Sequence, residues 1–201
     1  MRRWVWALAL LTLPACGYNR IQTLDEQVNG YAGQIKVQLQ RRADLVPNLV
    51  ETVRGYAQQE QTIFTAVADA RARLGGAVQS GNLQEMAAAN QNLTGALGRL
   101  LAISEAYPDL KSNENFRQLQ DQLEGTENRI ATARQDYNTA VQTYNTYIRQ
   151  FPQLITAKVV GKGPREYFDL TTPGAAEAPH VDFGRPAAPA GGSPGAGETK
   201  R

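Results

Sequence analysis

The stretch FRQLQDQLEGTENRIATARQDYNTAVQTYNTYIRQF, residues 116–151, decides the fold. Its apolar and small residues are Phe116, Leu119, Leu123, Thr126, Ile130, Ala133, Tyr137, Ala140, Tyr144, Tyr147 and Phe151, which recur at steps of three and four. That spacing lines one face of an α-helix and is the seam of a heptad repeat. A long helix with a single apolar stripe must bury it against other helices. Two further runs supply them. One is Leu83, Met86, Asn90, Leu93, Leu97, Leu100. The other is Ile21, Leu24, Val28, Tyr31, Ile35, resuming after a phase shift as Val46, Leu49, Val53, Tyr56, Glu60, Ile63, Val67, Ala70, Leu74.

Punctuation separates the runs. Gly75-Gly76 and Ser80-Gly81 frame a loop, and Asn82 with Glu85 has the form of a capping box. Pro108-Asp109 ends the second helix, and Ser112 is placed to cap the third. Short connections make consecutive helices antiparallel. The fold class is therefore all-α, an elongated antiparallel helical bundle over residues 19–160. Pro47 lies within the first long segment, where it removes a backbone donor and crowds the carbonyl four residues back. Three long helices result if the first is only kinked near Ala43-Asp44, and four if it breaks there, with Asp44 as the cap of a fresh helix. The run Leu154 to Gly161 is read as an extended segment packing back on the bundle. Residues 161–201 are read as an extended and disordered tail. From Pro173 onward proline, glycine and alanine dominate, and so little apolar surface cannot offset the entropy of ordering.

At the other end, Arg2-Arg3 precede an apolar run from Trp4 to Leu13, which is followed by Pro14-Ala15-Cys16. A basic start, a stretch too short to span a bilayer and a small residue before the cut make a secretory signal over residues 1–15. The sole cysteine stands where bacterial lipoproteins are cleaved and acylated, so Cys16 is the expected lipidation site and residues 16–18 the lipidated N-terminus. An uncleaved signal anchor and plain secretion are the alternatives. All three put the body outside the cytoplasm, at the cell envelope, with membrane lipid and unidentified envelope proteins as partners.

Removing residues 1–15 lowers the basic count from 21 to 19 against 19 acidic residues, leaving a formally neutral chain. Nucleic acid is thereby disfavoured as a partner, since its binders carry a basic patch. A lone cysteine gives no disulfide and no cysteine-based zinc or redox motif.

Specific residues carry a family likeness. Tyr18 to Glu26, then Gln38-Leu39-Gln40-Arg41-Arg42-Ala43-Asp44-Leu45-Val46-Pro47-Asn48-Leu49-Val50-Glu51-Thr52-Val53, resemble the LemA family. So do Gly55-Tyr56-Ala57, Glu60, Ala70-Arg71, Tyr144-Asn145, Phe151-Pro152, and Pro179 with Val181-Asp182-Phe183. The resemblance implies a membrane-associated bacterial protein with a helical-bundle body and no established enzymatic activity. Family members often have histidine just before the glutamate matched by Glu60; here that residue is Gln59.

No catalytic residue, metal ligand or cofactor site emerges from the residues themselves. His180, the only histidine, lies in the tail, which leaves serine or cysteine nucleophiles without a base and denies a di-metal site its Glu-x-x-His pairs. Two polar residues fall on apolar seams, Glu60 and Asn90. They either fix helix register or line a small-ligand or enzyme pocket between helices. Arg41, Arg42 and Asp44 form a possible interaction face for headgroups, wall material or a partner's carboxylates. Tyr147, Tyr167 and Phe168 are a candidate aromatic patch. The reading is a non-catalytic structural or protein-interaction module; oligomeric state is not legible, because seams shared within and between chains look alike.

Overall fold

The computed structural model describes residues 2–168, with side chains described from residue 17 onward. The expected acylation of Cys16 and the tail from residue 169, with His180, lie outside the described residues. Six α-helices make up the described chain: α1 (Arg2–Arg54), α2 (Gln61–Ser80), α3 (Leu83–Ile103), α4 (Pro108–Ser112), α5 (Glu114–Arg149) and α6 (Gln153–Val159), with a 3-10 turn at Ser104–Ala106. No strand occurs among the described residues, and the all-α bundle follows as read.

Helix α1 is the spine. Helix α5 packs along it, and α2 and α3 form a hairpin whose first helix lies on α1. The hairpin covers the part of α1 beyond Lys36, since Lys36 Nζ touches the turn at Gly81 and Arg71 of α2 reaches Ala43. Below that level α1 and α5 continue as a pair, closed on one side by α6 and the chain that follows it.

The chain does not reverse at Pro47: α1 runs through it to Arg54. Proline deprives the Ala43 carbonyl of its N–H four residues on. The Nε–H of Arg71, from α2, donates to that oxygen at 2.8 Å. The helix stays whole because tertiary structure replaces the missing donor. The break falls instead at Gly55–Glu60, inside a run of uninterrupted three- and four-residue steps. Ala57 is buried there, and the Tyr56 hydroxyl accepts a bond from Asn113 Nδ2 at 3.0 Å, joining the end of α1 to the start of α5. The bundle thus has four long helices, the fourth arising from this break and not from Pro47.

Other boundaries also move. Gly75 and Gly76 lie inside α2, which continues to Ser80 and ends on Gly81 at φ 73°. Asn82 caps α3 by accepting from the N–H groups of Gln84 and Glu85, but the reciprocal half of the capping box is not made: the Asn82 N–H donates to Ser80 Oγ, and Glu85 accepts from the Asn82 side-chain amide and the Ser80 hydroxyl. Helix α3 ends at Ile103, before Pro108, which opens the short α4. Asn113 caps α5, while Ser112 bonds back to Asp109. The run at Leu154 is helical, as α6, and not extended.

The core of α5 is Phe116, Leu123, Thr126, Ile130, Ala133, Tyr137, Val141, Tyr144 and Ile148. Past Tyr137 the buried line shifts from Ala140, Tyr147 and Phe151 to Val141 and Ile148. An α-helix of 3.6 residues per turn drifts off a strict heptad by about 20° per repeat, so a seam read at 3.5 walks out of the core.

The Pro47–Arg71 exchange is measurable. Arg71→Ala should cost about 1–2 kcal/mol, the range for a charge-assisted bond to a backbone carbonyl left without a partner. In a Pro47→Ala background the restored N–H takes Ala43 oxygen back, and the same substitution should cost a few tenths. Urea melts of the four proteins close the cycle; equal costs in both backgrounds would show that Arg71 does not replace the lost bond.

Candidate functional site

Tyr137-Asn138 and Tyr144-Asn145 stand seven residues apart on α5. Along a helix that is about 10.5 Å, two turns. Three residues of extended chain cover about 10 Å. The segment Gly163–Phe168 uses this match and lies as a strap against α5, running antiparallel to it. Asn145 donates to the Arg165 carbonyl at 2.9 Å and accepts from its N–H at 2.8 Å. Asn138 does the same for Phe168, at 3.1 and 2.8 Å. The hydroxyl of Tyr144 donates to Gly163 oxygen at 3.1 Å and that of Tyr137 to Glu166 oxygen at 2.9 Å. Burial raises both phenols above their ordinary pKa, which keeps them protonated as donors. Gln84 at the start of α3 takes the Tyr167 carbonyl at 3.2 Å.

One carboxylate ties the strap to α1. Asp25, 5% exposed, accepts from Lys162 Nζ at 2.6 Å and from Arg165 Nε and Nη2 at 2.9 and 2.7 Å. Burial works to raise the Asp25 pKa, but the hydrogen bonds and charges of Lys162 and Arg165 outweigh it and hold the carboxyl below its ordinary value. The bond to Asp25 raises Lys162 in turn. Phe168 closes the strap, buried beneath the Arg134 guanidinium 5.1 Å from its ring centre. The residues from Gly161 to Phe168, read as the start of a disordered tail, are therefore an ordered part of the bundle.

Higher up, the Arg41–Arg42–Asp44 face divides. Arg41 and Asp44 are exposed, and Asp44 takes a bond from Gln40. Arg42 is 4% exposed and turns inward, its Nη1 2.6 Å from Asn90 Oδ1 and 2.5 Å from Glu127 Oε2. Burial lowers the Arg42 pKa and Glu127 offsets part of that, so the group stays charged. Asn90 of α3 thus bonds α1 through Arg42, and Arg42 in turn pairs with Glu127 of α5. Glu60 is at the N-cap of α2 and makes no side-chain cap bond. Asn90 instead meets Arg42 of α1, and among the described residues no pocket is lined by both Asn90 and Glu60. With Arg42 in the core, the arginine pair offers no surface for anionic binding. Phe168 is buried, so the three aromatics make no common patch.

An open groove of about 690 Å³ runs between α1 and α5, lined by neither the hairpin nor the strap. Gly30, Gly33, Val37 and Ala133 line it with little side-chain bulk, together with the polar Gln34, Gln38, Arg129 and Asp136. Val37 is 63% exposed, and a Cβ added at Gly30 or Gly33 would meet nothing within 4 Å. Among the described residues Gln38 Oε1 is buried and has no donor.

Sequence reading missed Asp25, Glu127, Asn138, Lys162 and Arg165 as site residues. The repeated Tyr-Asn pair was a usable signal, since two identical polar dipeptides one heptad apart present the same groups in line. The partners of Asp25 lie 137 and 140 residues away, and no local pattern links them.

Together these features define a class: a helical bundle that spends its buried polar side chains on holding its own chain and keeps one α1–α5 face open. The LemA family profile matches residues 31–183, and the chain belongs to the LemA family. It is similar to magnetosome protein MamQ 1 and magnetosome protein MamQ 2 of Paramagnetospirillum magneticum. Each is 32% identical over 174 residues, covering 75% of this chain and 64% of the relative. Magnetosome protein MamQ of Magnetospirillum gryphiswaldense is 30% identical over 184 residues, covering 80% of this chain and 68% of that protein. The chain thus spans just under two thirds of the length of the first two.

The Asp25 clamp sets a pH dependence. Its depressed pKa contributes stability that is fully present above the unfolded-state value, near 4, and is lost as pH falls through the folded value. Asp25→Asn should cost about 1–2 kcal/mol at pH 7, a figure reduced because Lys162 and Arg165 can rehydrate. The gap from wild type should close on acidification toward pH 3 in urea melts. Trypsin should cut after Lys162 and Arg165 faster in the variant at pH 7. Equal cutting rates would show that Asp25 does not hold the strap.

Proposed function

We propose that this chain is a membrane-tethered, non-catalytic interaction module of the bacterial envelope, lipidated at Cys16 and facing away from the cytoplasm. The observation that carries the reading is the α1–α5 groove. A bundle of this kind would ordinarily cover such a face; here two glycines, an exposed valine and Ala133 leave room for a helix to approach closely. The occupant that fits is an amphipathic helix of an envelope protein. Its small apolar face would meet Gly30, Gly33 and Val37, and its acidic and basic residues would pair with Arg129 and Asp136. An added donor would satisfy Gln38. Membership of the LemA family and likeness to the MamQ proteins support a membrane-associated role, and the Arg2 to Cys16 stretch supplies the means of tethering. Several acyl chains, at about 0.8 kcal/mol per buried methylene, hold such a body at the bilayer.

Two measurements test the proposal. Intact mass of the membrane-extracted protein should begin at Cys16 with acyl chains added, and Cys16→Ser should abolish them. A full-length unmodified mass would replace the lipid tether with an anchor. A photoreactive residue at Val37 should crosslink in intact cells to one discrete partner. Gly33→Gln, which fills the groove, should reduce that adduct about tenfold, as loss of close packing at an interface centre does. Adducts at Val37 no more discrete than those at exposed Gln122 would end the groove reading.

A further inference from the structure

Helix α6 is turned the wrong way round for a soluble bundle. Its apolar residues Leu154, Ile155 and Val159, with Lys158 among them and Phe151 just before the helix, follow the steps of an amphipathic stripe. Such a stripe ordinarily faces the core. Here Phe151 and Val159 are each 80% exposed, Ile155 56% and Leu154 37%. The inner face is the small Ala157 with Gln153 and Thr156, and it packs on α1 at Gly17: a methyl added there would lie 3.6 Å from Gln153 and 3.8 Å from Thr156. The apolar face therefore sits at the end of the bundle where the Trp4–Leu13 run and Cys16 lead into Gly17, and Tyr18, the next residue of α1, is 42% exposed.

The charge nearest α6 in the sequence is basic. No acidic residue occurs in 17–24 or 146–165, whereas Arg20, Arg149, Lys158, Lys162 and Arg165 do. Asp25, which follows the first stretch, is consumed by Lys162 and Arg165. Arg20, Arg149 and Lys158 are exposed and form no ion pair among the described residues.

We propose that α6 and Phe151 form a membrane-contact foot: the exposed face of Phe151, Leu154, Ile155 and Val159 inserts at the interface of an anionic phospholipid bilayer, and Arg20, Arg149 and Lys158 meet the headgroups. This rests on the tethered reading above and adds how the body sits. An amphipathic helix with basic residues beside its apolar face is the form that lies in the interfacial plane, and Lys158 can extend its charged end to the headgroup level while its stem stays among the apolar side chains. A second copy or a partner protein would need its own acidic apolar surface at the same place; the bilayer is already there, at the point where the tether leaves. The foot would fix the α1–α5 groove at a set height and orientation above the membrane.

The test uses the processed full chain, extracted from membranes and reconstituted into vesicles of phosphatidylethanolamine and phosphatidylglycerol. A diazirine photoprobe replaces Ile155 or Val159, or Gln122 of α5 as a control. Phospholipid adducts at Ile155 and Val159 should exceed those at Gln122 by about tenfold or more, the partition that burying one such side chain sustains. Water-quenched probe at both positions, in protein that floats with the vesicles, overturns the foot and leaves the tether standing. Adducts to a second copy or another protein overturn it too, by showing what covers the face. Protein that fails to float overturns the tether and the foot together. Circular dichroism of each variant confirms that the helices are intact, as expected for changes at exposed positions.

Discussion

An extended backbone segment beside a helix has no ladder to join, and every buried N–H and C=O in it needs a partner. The strap Gly163–Phe168 meets that requirement through four side chains of α5, two asparagines that each take both polar groups of one residue and two tyrosines that take the carbonyls of Gly163 and Glu166. The bonding works because two helical turns and three extended residues have nearly the same length. Phe168 then reaches a buried site, Lys162 and Arg165 reach Asp25, and Gln84 ties the strap to the hairpin. Without the strap the lower half of the bundle would be a two-helix pair with one side of its seam in water.

The upper half is held by a different device, polar groups of one helix completing those of another. Arg71 of α2 serves the carbonyl that Pro47 strips in α1, and Arg42 of α1 meets Asn90 of α3 and Glu127 of α5. Buried charge is a poor source of net stability, because desolvation opposes the Coulomb gain. Its effect is to penalise alternative registers: sliding α3 by one turn would leave Arg42 without Asn90. An open groove can be kept on the opposite face because rigidity comes from these fixed contacts and not from full coverage.

Much of the architecture was legible. The three apolar periodicities located α1, α3 and α5, and the Asn82–Glu85 motif fixed the start of α3, because these signals depend on residues within a turn or two of one another. The break after α1 was hidden because Ala57 and Phe64 bury themselves on nearly the same three- and four-residue rhythm that a continuous helix would show. Gly75 and Gly76 looked like a turn, yet a helical glycine costs only about 1 kcal/mol and α2 absorbs it through its packing on α1 and α3. Of the residues read as site candidates, Asn90 bonds Arg42 across α1 and α3, whereas Arg42, read as part of an interaction face, lies in the core.

The sequence alone determined that the chain is helical, where its main seams run, and that its N-terminus carries a short apolar stretch ending in cysteine, since each follows from local pattern. Tertiary structure decided that Pro47 is tolerated, that Arg42 turns inward, that residues 161–168 are ordered and that the apolar stripe of α6 faces outward. Each of these depends on a partner far away in the chain: Arg71, Asn90 and Glu127, the paired Tyr-Asn residues with Asp25, and Gly17. A helix's own sequence states which face is apolar; only its neighbours settle where that face points.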